Sequence, residues 1–433
     1  MKKLLIFMTM LAMLNTVSCS EKNKDETPAP SVSESSTDNN KTTLTVTTTI
    51  KLSPAVEKEI SKKMSCDVDI KSYPYSEETD PFELLHLDMI SGEIPDVVYA
   101  TTDDMTKLIN RGYMADMYPL MEKSETLRKE DFLPNVLAGL DVDGKLPAIC
   151  DDWKIFTAVA KTENVGENME NWTPAQALKA FNNMPEDMSF LEHEWKEYDR
   201  ENYLIYRVGI DAVDYKNNTC DFGGAFMEML GNVNNLPEFQ PYNEYEYAII
   251  NNHALISEVQ LFGINCGITQ SLYCYFGGED ITFVGYPSES GKGYVTDAFS
   301  MMGIISTSKN QEKAYEFISL MLNDNSINKG MMYSMPITEK QLDEQLNATK
   351  YNALSVNCPQ YLPYSDEEVQ IPKELLDKTV DYIRNVEFEP YINNTVENIV
   401  REEYHKCFAG EATPQECADI LNNRVSIYLS ESE

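Results

Sequence analysis

Ile94-Pro95-Asp96-Val97-Val98-Tyr99-Ala100 is an apolar run too short for a helix, and it predicts a strand buried on both faces. Upstream, Pro81 to Ser91 carries Phe82, Leu85, Leu87, Met89 and Ile90 on a broad apolar face, which predicts a helix. A strand over Asp67–Tyr73 precedes it. Before that, Ser53-Pro54 opens a helix running through Met64, with proline at its first turn. Leu44, Val46 and Thr48 alternate as a first strand. The order β-α-β-α-β implies a parallel sheet with right-handed crossovers, hence an α/β fold. In open sheets of this kind ligands sit beyond the carboxyl ends of the strands, which places the loop Thr101-Thr102-Asp103-Asp104 at a site position. Downstream, Trp172-Thr173-Pro174-Ala175-Gln176 and Thr413-Pro414-Gln415-Glu416 are capping boxes ahead of apolar periodicity. Gln311 to Asn323 has Ala314, Phe317, Ile318 and Met321 at helical spacing.

With 433 residues the chain is long enough for two or three cores. Its 35 Lys+Arg against 71 Asp+Glu give a net charge of -36, so self-repulsion argues against a nucleic-acid partner and against adhesion to anionic lipid through basic patches. Membrane attachment is expected only from the start. Lys2 and Lys3, the apolar run from Leu4 to Leu14 and the small residues before Cys19 have the order of a secretory signal, too short to span a bilayer. Cys19 directly after Ser18 resembles the bacterial lipobox, whose cysteine is lipidated. The match departs at Thr16, where an aliphatic residue is expected, and an ordinary cleaved signal is the competing reading. Residues 1–18 are thus expected as a lipoprotein signal peptide and 19–42, rich in Ser, Thr, Pro and Asp, as a lipid-anchored flexible tether. The other eight cysteines, Cys66, Cys150, Cys220, Cys266, Cys274, Cys358, Cys407 and Cys417, are irregularly spaced. Reduced core thiols or a disulfide or two both remain open.

Read in order, several segments resemble the carbohydrate-type extracellular solute-binding proteins of ABC importers, the maltose-binding-protein-like group. They are Ile90-Ser91-Gly92-Glu93-Ile94-Pro95-Asp96-Val97-Val98, Gly112 to Leu120, Asp143-Gly144-Lys145-Leu146-Pro147, Asn171-Trp172-Thr173, Phe283 to Pro287, Gly303 to Asn310, Ala314 to Ile318 and Asn422 to Leu429. None is specific alone; their order covers most of the mature chain. The region from Glu197 to Gln270 carries few such marks. The resemblance implies a two-lobed, periplasmic-binding-protein-like α/β fold with a hinge. One lobe would hold 43–157 plus 296–335, the other 158–295 plus 336–433, with crossings near Ala158–Lys161 and Gly291–Asp297. It also implies capture of a carbohydrate by closure, delivery to ABC permease subunits, a monomer and no catalysis.

A sugar presents apolar C–H faces and a rim of hydroxyls, so its receptor needs aromatic rings beside carboxylates or amides. Asp151-Asp152-Trp153 supplies both at the end of the strand-like Leu146–Cys150, where the resemblance implies an acidic contact; a solvated acidic turn with a buried Trp is the alternative. Tyr99 and Asp103 flank the strand-end loop, and Tyr99 equally suits the core. In the second lobe Tyr273 is the expected stacking aromatic, with Asp297 a further candidate; Tyr242, Tyr245 and Tyr247 read as surface or core. Catalytic readings are weak. His86, His193, His253 and His405 form no zinc spacing, and Gly285 to Gly293 lacks the spacing and the Ser/Thr of a phosphate loop. Asp141-Val142-Asp143-Gly144 suits a tight turn better than a calcium loop. Neither cofactor nor metal is expected. A receptor for a polyol or peptide, or an exported lipoprotein hydrolase acting on polysaccharide, are the rival readings.

Overall fold

The computed structural model describes residues 43–73, 79–186, 188–192, 200–215, 217–233, 248–264, 272–273, 276–324, 327, 334–351, 371–390 and 393–431. β1 (Thr43–Thr48), β2 (Asp67–Ser72) and β3 (Val97–Thr101) form the expected parallel start, with β1 between the other two. Their connecting helices, Pro54–Lys63 and Pro81–Ser91, begin with Pro behind the side-chain caps Ser53 and Asp80. Asp96 explains the apolar run that leads into β3. Its carboxylate accepts from the Thr45 N–H at 2.9 Å and from the Ser308 hydroxyl at 2.6 Å, tying β1 to a segment more than two hundred positions later. That segment follows β12 (Ser300–Ile304), which inserts antiparallel between β3 and β4 (Ala148–Cys150) to give the order β2-β1-β3-β12-β4. The helix Gln311–Asn323 then buries Ala314, Phe317, Ile318 and Met321, the residues whose spacing announced it.

A second sheet is built on β5 (Lys154–Lys161). β9 (Ala254–Leu261) pairs along one side and β6 (Ser189–Leu191) adds beyond it. β10 (Ile281–Thr282) and β11 (Tyr294–Asp297) share the other side of β5. Both capping boxes are present: Thr173 and Gln176 bond reciprocally at 2.8 and 3.3 Å, as do Thr413 and Glu416 at 2.9 and 3.2 Å. Val142 and Lys145 bridge across the turn at Asp143 and Gly144, both at positive φ, so that stretch is a tight hairpin.

β10 stops at Thr282, because Gly285 turns at φ 70° and a Cβ there would meet the Gly293 carbonyl oxygen at 2.4 Å. One expectation needs correction. The change of sheet occurs at 151–153 and 298–299, not at Ala158–Lys161 and Gly291–Asp297. The physical reason is pairing: β5 and β11 are already in register from Lys154↔Asp297 to Thr157↔Tyr294.

Residues 42–433 form one compact unit because the larger core, centred on the first sheet, continues through Trp153, Ile155 and Val159 into the second. The helix Lys373–Asn385 bridges the two. Tyr382 stacks on Phe283 with centroids 4.1 Å apart and donates to Thr157 Oγ1 at 2.9 Å, while the Asn135 amide donates to the Ile383 and Val386 carbonyls. A separate core gathers Trp172, Phe190, Tyr203, Phe226 and Leu421. Cys66, Cys150, Cys220 and Cys417 are free thiols and Cys407 is buried; Cys19, Cys266, Cys274 and Cys358 lie outside the described residues. So do His193, Tyr242, Tyr245, Tyr247 and residues 1–42. Among the described residues no helix is long and apolar enough to cross a membrane.

Candidate ligand-binding cleft

The two crossing segments run antiparallel and bond to one another. Asp152 Oδ1 accepts from the backbone N–H groups of Phe299 and Ser300 at 3.2 and 3.3 Å. Asp151 accepts from the Ser300 hydroxyl at 2.5 Å and from the Tyr99 hydroxyl at 2.6 Å. Desolvation pushes the Asp151 carboxyl up to about 6 against the lowering effect of those two hydroxyls. Two further segments pass beside them. Trp153 receives the Met335 N–H at its carbonyl, donates its indole N–H to the Pro336 carbonyl at 3.0 Å and meets the Phe388 ring edge-on at 5.1 Å. Gly139 lets residue 388 come close, since a Cβ there would lie 1.9 Å from the Phe388 carbonyl oxygen.

On the second sheet, register separates two faces. Lys154, Phe156 and Ala158 share one with their partners Asp297, Val295, Gln260 and Glu258. The opposite face, Ile155, Thr157 and Val159 with Tyr294, Thr296, Val259 and Leu261, is wholly buried. The first face is partly open: Lys154, Phe156, Gln260 and Asp297 are half-buried and Glu258 is exposed. Glu258 nonetheless has its carboxyl raised by desolvation, with the Tyr286 hydroxyl drawing it back, as befits a group in a crevice. At the β11 edge of this sheet lies a cavity of about 470 Å³, bordered by Val295 and Thr296. Thr106 and Asn110 line it from the helix Thr102–Asn110 of the first sheet. Tyr206, Arg207 and Ile210 from the helix Arg200–Asp211, Val295 from β11, and Glu397 and Arg401 from the helix Asn394–Phe408 complete the wall.

The structure brings some candidates together and not others. Asp152 and Asp297 converge: each carboxyl is raised chiefly by desolvation and drawn down by Lys154. Asp103 is exposed, 2.7 Å from Lys107, on the first turn of a helix rather than in the expected loop. Trp153 takes the buried placement that was the alternative to a ligand contact. It is fully buried with its one polar group satisfied, so no ring face is left for a ligand. Tyr99 is also core, 6% exposed, with its hydroxyl spent on Asp151. Tyr273 lies against Gly278, close to β10, and β10 pairs with the far end of β5 from Lys154. Sequence reasoning missed Phe299, 58% exposed at the carboxyl edge of β3, where its carbonyl accepts from the Thr102 N–H. It also missed Arg207 and Glu258. An isolated aromatic beside Asp297 was the available signal for Phe299; the other two had none, since β9 and the Arg200 helix fall where few family marks occur.

Aromatic faces beside carboxylates, amides and a guanidinium suit a ligand with both apolar faces and hydrogen-bonding groups. Among the described residues no group of three or more His, Cys, Asp or Glu is placed to hold a metal ion.

No family model matches the sequence, and no curated protein matches it. Solved structures match over nearly the whole chain. The sugar-binding protein MalE from Xanthomonas citri superposes with a TM-score of 0.58 at 14% identity, covering 90% of this chain and 98% of its own. A family 1 extracellular solute-binding protein from Alicyclobacillus acidocaldarius gives 0.57 at 12% identity, with 90% and 98% covered. A family 1 extracellular solute-binding protein from Bifidobacterium longum subsp. infantis gives 0.55 at 14%, with 89% and 99%. With two sheets joined at a hinge and a cavity beside the crossings, this chain has the α/β fold of the two-lobed extracellular solute-binding proteins that its sequence resembles.

Proposed function

We propose that the chain is a receptor that captures a carbohydrate, an oligosaccharide in the first instance, in the cleft beside the hinge and hands it to an ABC permease. The supporting observation is the 470 Å³ cavity walled by helices of both sheets, which rotation about the crossings would open or close. Lobe one comprises the first sheet with the helix Gln311–Asn323, and lobe two the second sheet with the two C-terminal helices. Phe299, Phe156 and Tyr206 offer ring faces; Asp152, Asp297, Glu258 and Gln260 offer partners for hydroxyls. Closure follows from differential affinity: the sugar bonds to both walls only when they approach. A signal peptide and a lipid on Cys19 would hold the receptor, as a monomer, at the outer face of the cytoplasmic membrane through residues 19–42. The test is thermal-shift screening of the mature chain against neutral and acidic oligosaccharides, polyols and peptides, followed by calorimetry and small-angle scattering. Stoichiometric saccharide binding, a smaller radius of gyration and no released product support the receptor. Turnover of the oligosaccharide would replace it with a hydrolase, and a polyol or peptide hit would replace the sugar.

A further inference from the structure

Arg207 lies on the helix Arg200–Asp211, is 4% exposed and lines the cavity. Its Nε sits 3.0 Å from Asp211 Oδ1, one turn along the helix, but off the line of a hydrogen bond. Among the described residues its two terminal nitrogens have no hydrogen-bond partner. A guanidinium carries five N–H donors and no acceptor; Nε is the one nitrogen sealed without a hydrogen bond, so the terminal N–H groups reach the cavity rather than the packed interior. Asp211 is in turn held by the Ser288 and Ser290 hydroxyls at 2.6 and 3.0 Å, which fixes the helix-face pair in place.

The remaining charges of the wall are matched. Glu397 pairs with Arg401, and Glu389 with Lys292 at 3.0 Å. With Asp211 opposite Arg207, cations and carboxylates cancel in pairs, inside a chain of net charge -36. An anionic ligand would therefore find no surplus positive charge and would enter against the field of the whole protein. What the cavity lacks is acceptor oxygen, not negative charge.

Resting on the carbohydrate reading above, we propose that Arg207 is the anchoring residue of the cleft and that its terminal nitrogens donate to adjacent oxygens of an uncharged saccharide, so that neutral sugars are selected over uronates. The planar fork presents two parallel donors, which a lysine ammonium does not reproduce.

The test uses the full mature chain and its Arg207→Met and Arg207→Lys variants, titrated calorimetrically with malto-, cello-, xylo- and mannotriose and with trigalacturonate and trimannuronate. A neutral trisaccharide should bind the parent protein, and Arg207→Met should weaken it roughly 10- to 100-fold, with Arg207→Lys between. Arg207→Met also removes the cation 3.0 Å from Asp211, so its ligand-free melting should fall, and the sugar contact is read from Arg207→Lys, which keeps a cation beside Asp211 and should bind more weakly while melting near the parent. Tighter binding of a uronate than of every neutral trisaccharide, unchanged affinity in Arg207→Met, or parental affinity in Arg207→Lys would each overturn the anchor while the receptor stands. Binding of no saccharide by the parent protein would overturn the carbohydrate reading and the anchor together.

Discussion

Two aromatic residues sit on the paired crossing segments, and they have opposite fates. Trp153, on the first crossing, is wholly buried between residues 334–336 and Phe388, whereas Phe299, on the second, is 58% exposed. The carboxylates follow the same division. Asp151 spends both its oxygens on Ser300 and Tyr99, and Asp152 spends Oδ1 on the backbone of the second crossing, so the first crossing supplies the clamp and the second presents a surface. The first crossing is held by apolar burial backed by satisfied hydrogen bonds.

The sharpest way to break this contrast is Trp153→Ala. Removing a fully buried indole should cost about 3–5 kcal/mol of stability by denaturant unfolding, with the binding loss following from the disturbed hinge. A variant of parental stability but reduced sugar affinity would return Trp153 to the ligand.

Acidity probes the same clamp. Asp151 has its folded-state carboxyl raised to about 6, above the ordinary 3.8, so between those values the folded state binds more protons than the unfolded one. Stability from this group is therefore greatest at low pH and is lost as pH rises through about 6. The effect is up to about 3 kcal/mol at 1.36 kcal/mol per unit. The parent minus Asp151→Asn difference in unfolding free energy should grow as pH falls from 7 to 5; a flat difference would remove Asp151 from its desolvated setting.

On the exposed side, Phe299→Ala should weaken saccharide binding by about 1–3 kcal/mol with little change in melting temperature. Equal affinity would mean that the ring faces solvent away from the ligand. Asp103→Asn should have the smallest effect, under about 1 kcal/mol in affinity or stability, because its partner Lys107 is a surface ion pair in water. A larger affinity loss in calorimetry would place Asp103 against the sugar.

The parts legible in the sequence share a physical property. Strands β1 to β3, the Pro-started helices and both capping boxes are specified by alternation, caps and φ-restricted residues within a few positions of one another. Asp96 shows the limit: its place in the run before β3 is readable, its bond to Ser308 is not. Trp153 and Phe299 show it more strongly. Both are aromatic residues next to acidic ones, and nothing local distinguishes the buried from the exposed.

From the chain alone came the α/β class, the parallel opening sheet, the resemblance to solute-binding proteins and the location of several site candidates near strand ends. Where one sheet gives way to the other, which face of β5 stays open, that Trp153 is core and that Arg207 is left with unspent donors were decided by the tertiary structure. Each depends on pairing between segments far apart in the chain, such as Lys154 with Asp297 or Trp153 with Pro336. Burial is a property of what arrives from elsewhere, so residue type and spacing cannot encode it by themselves.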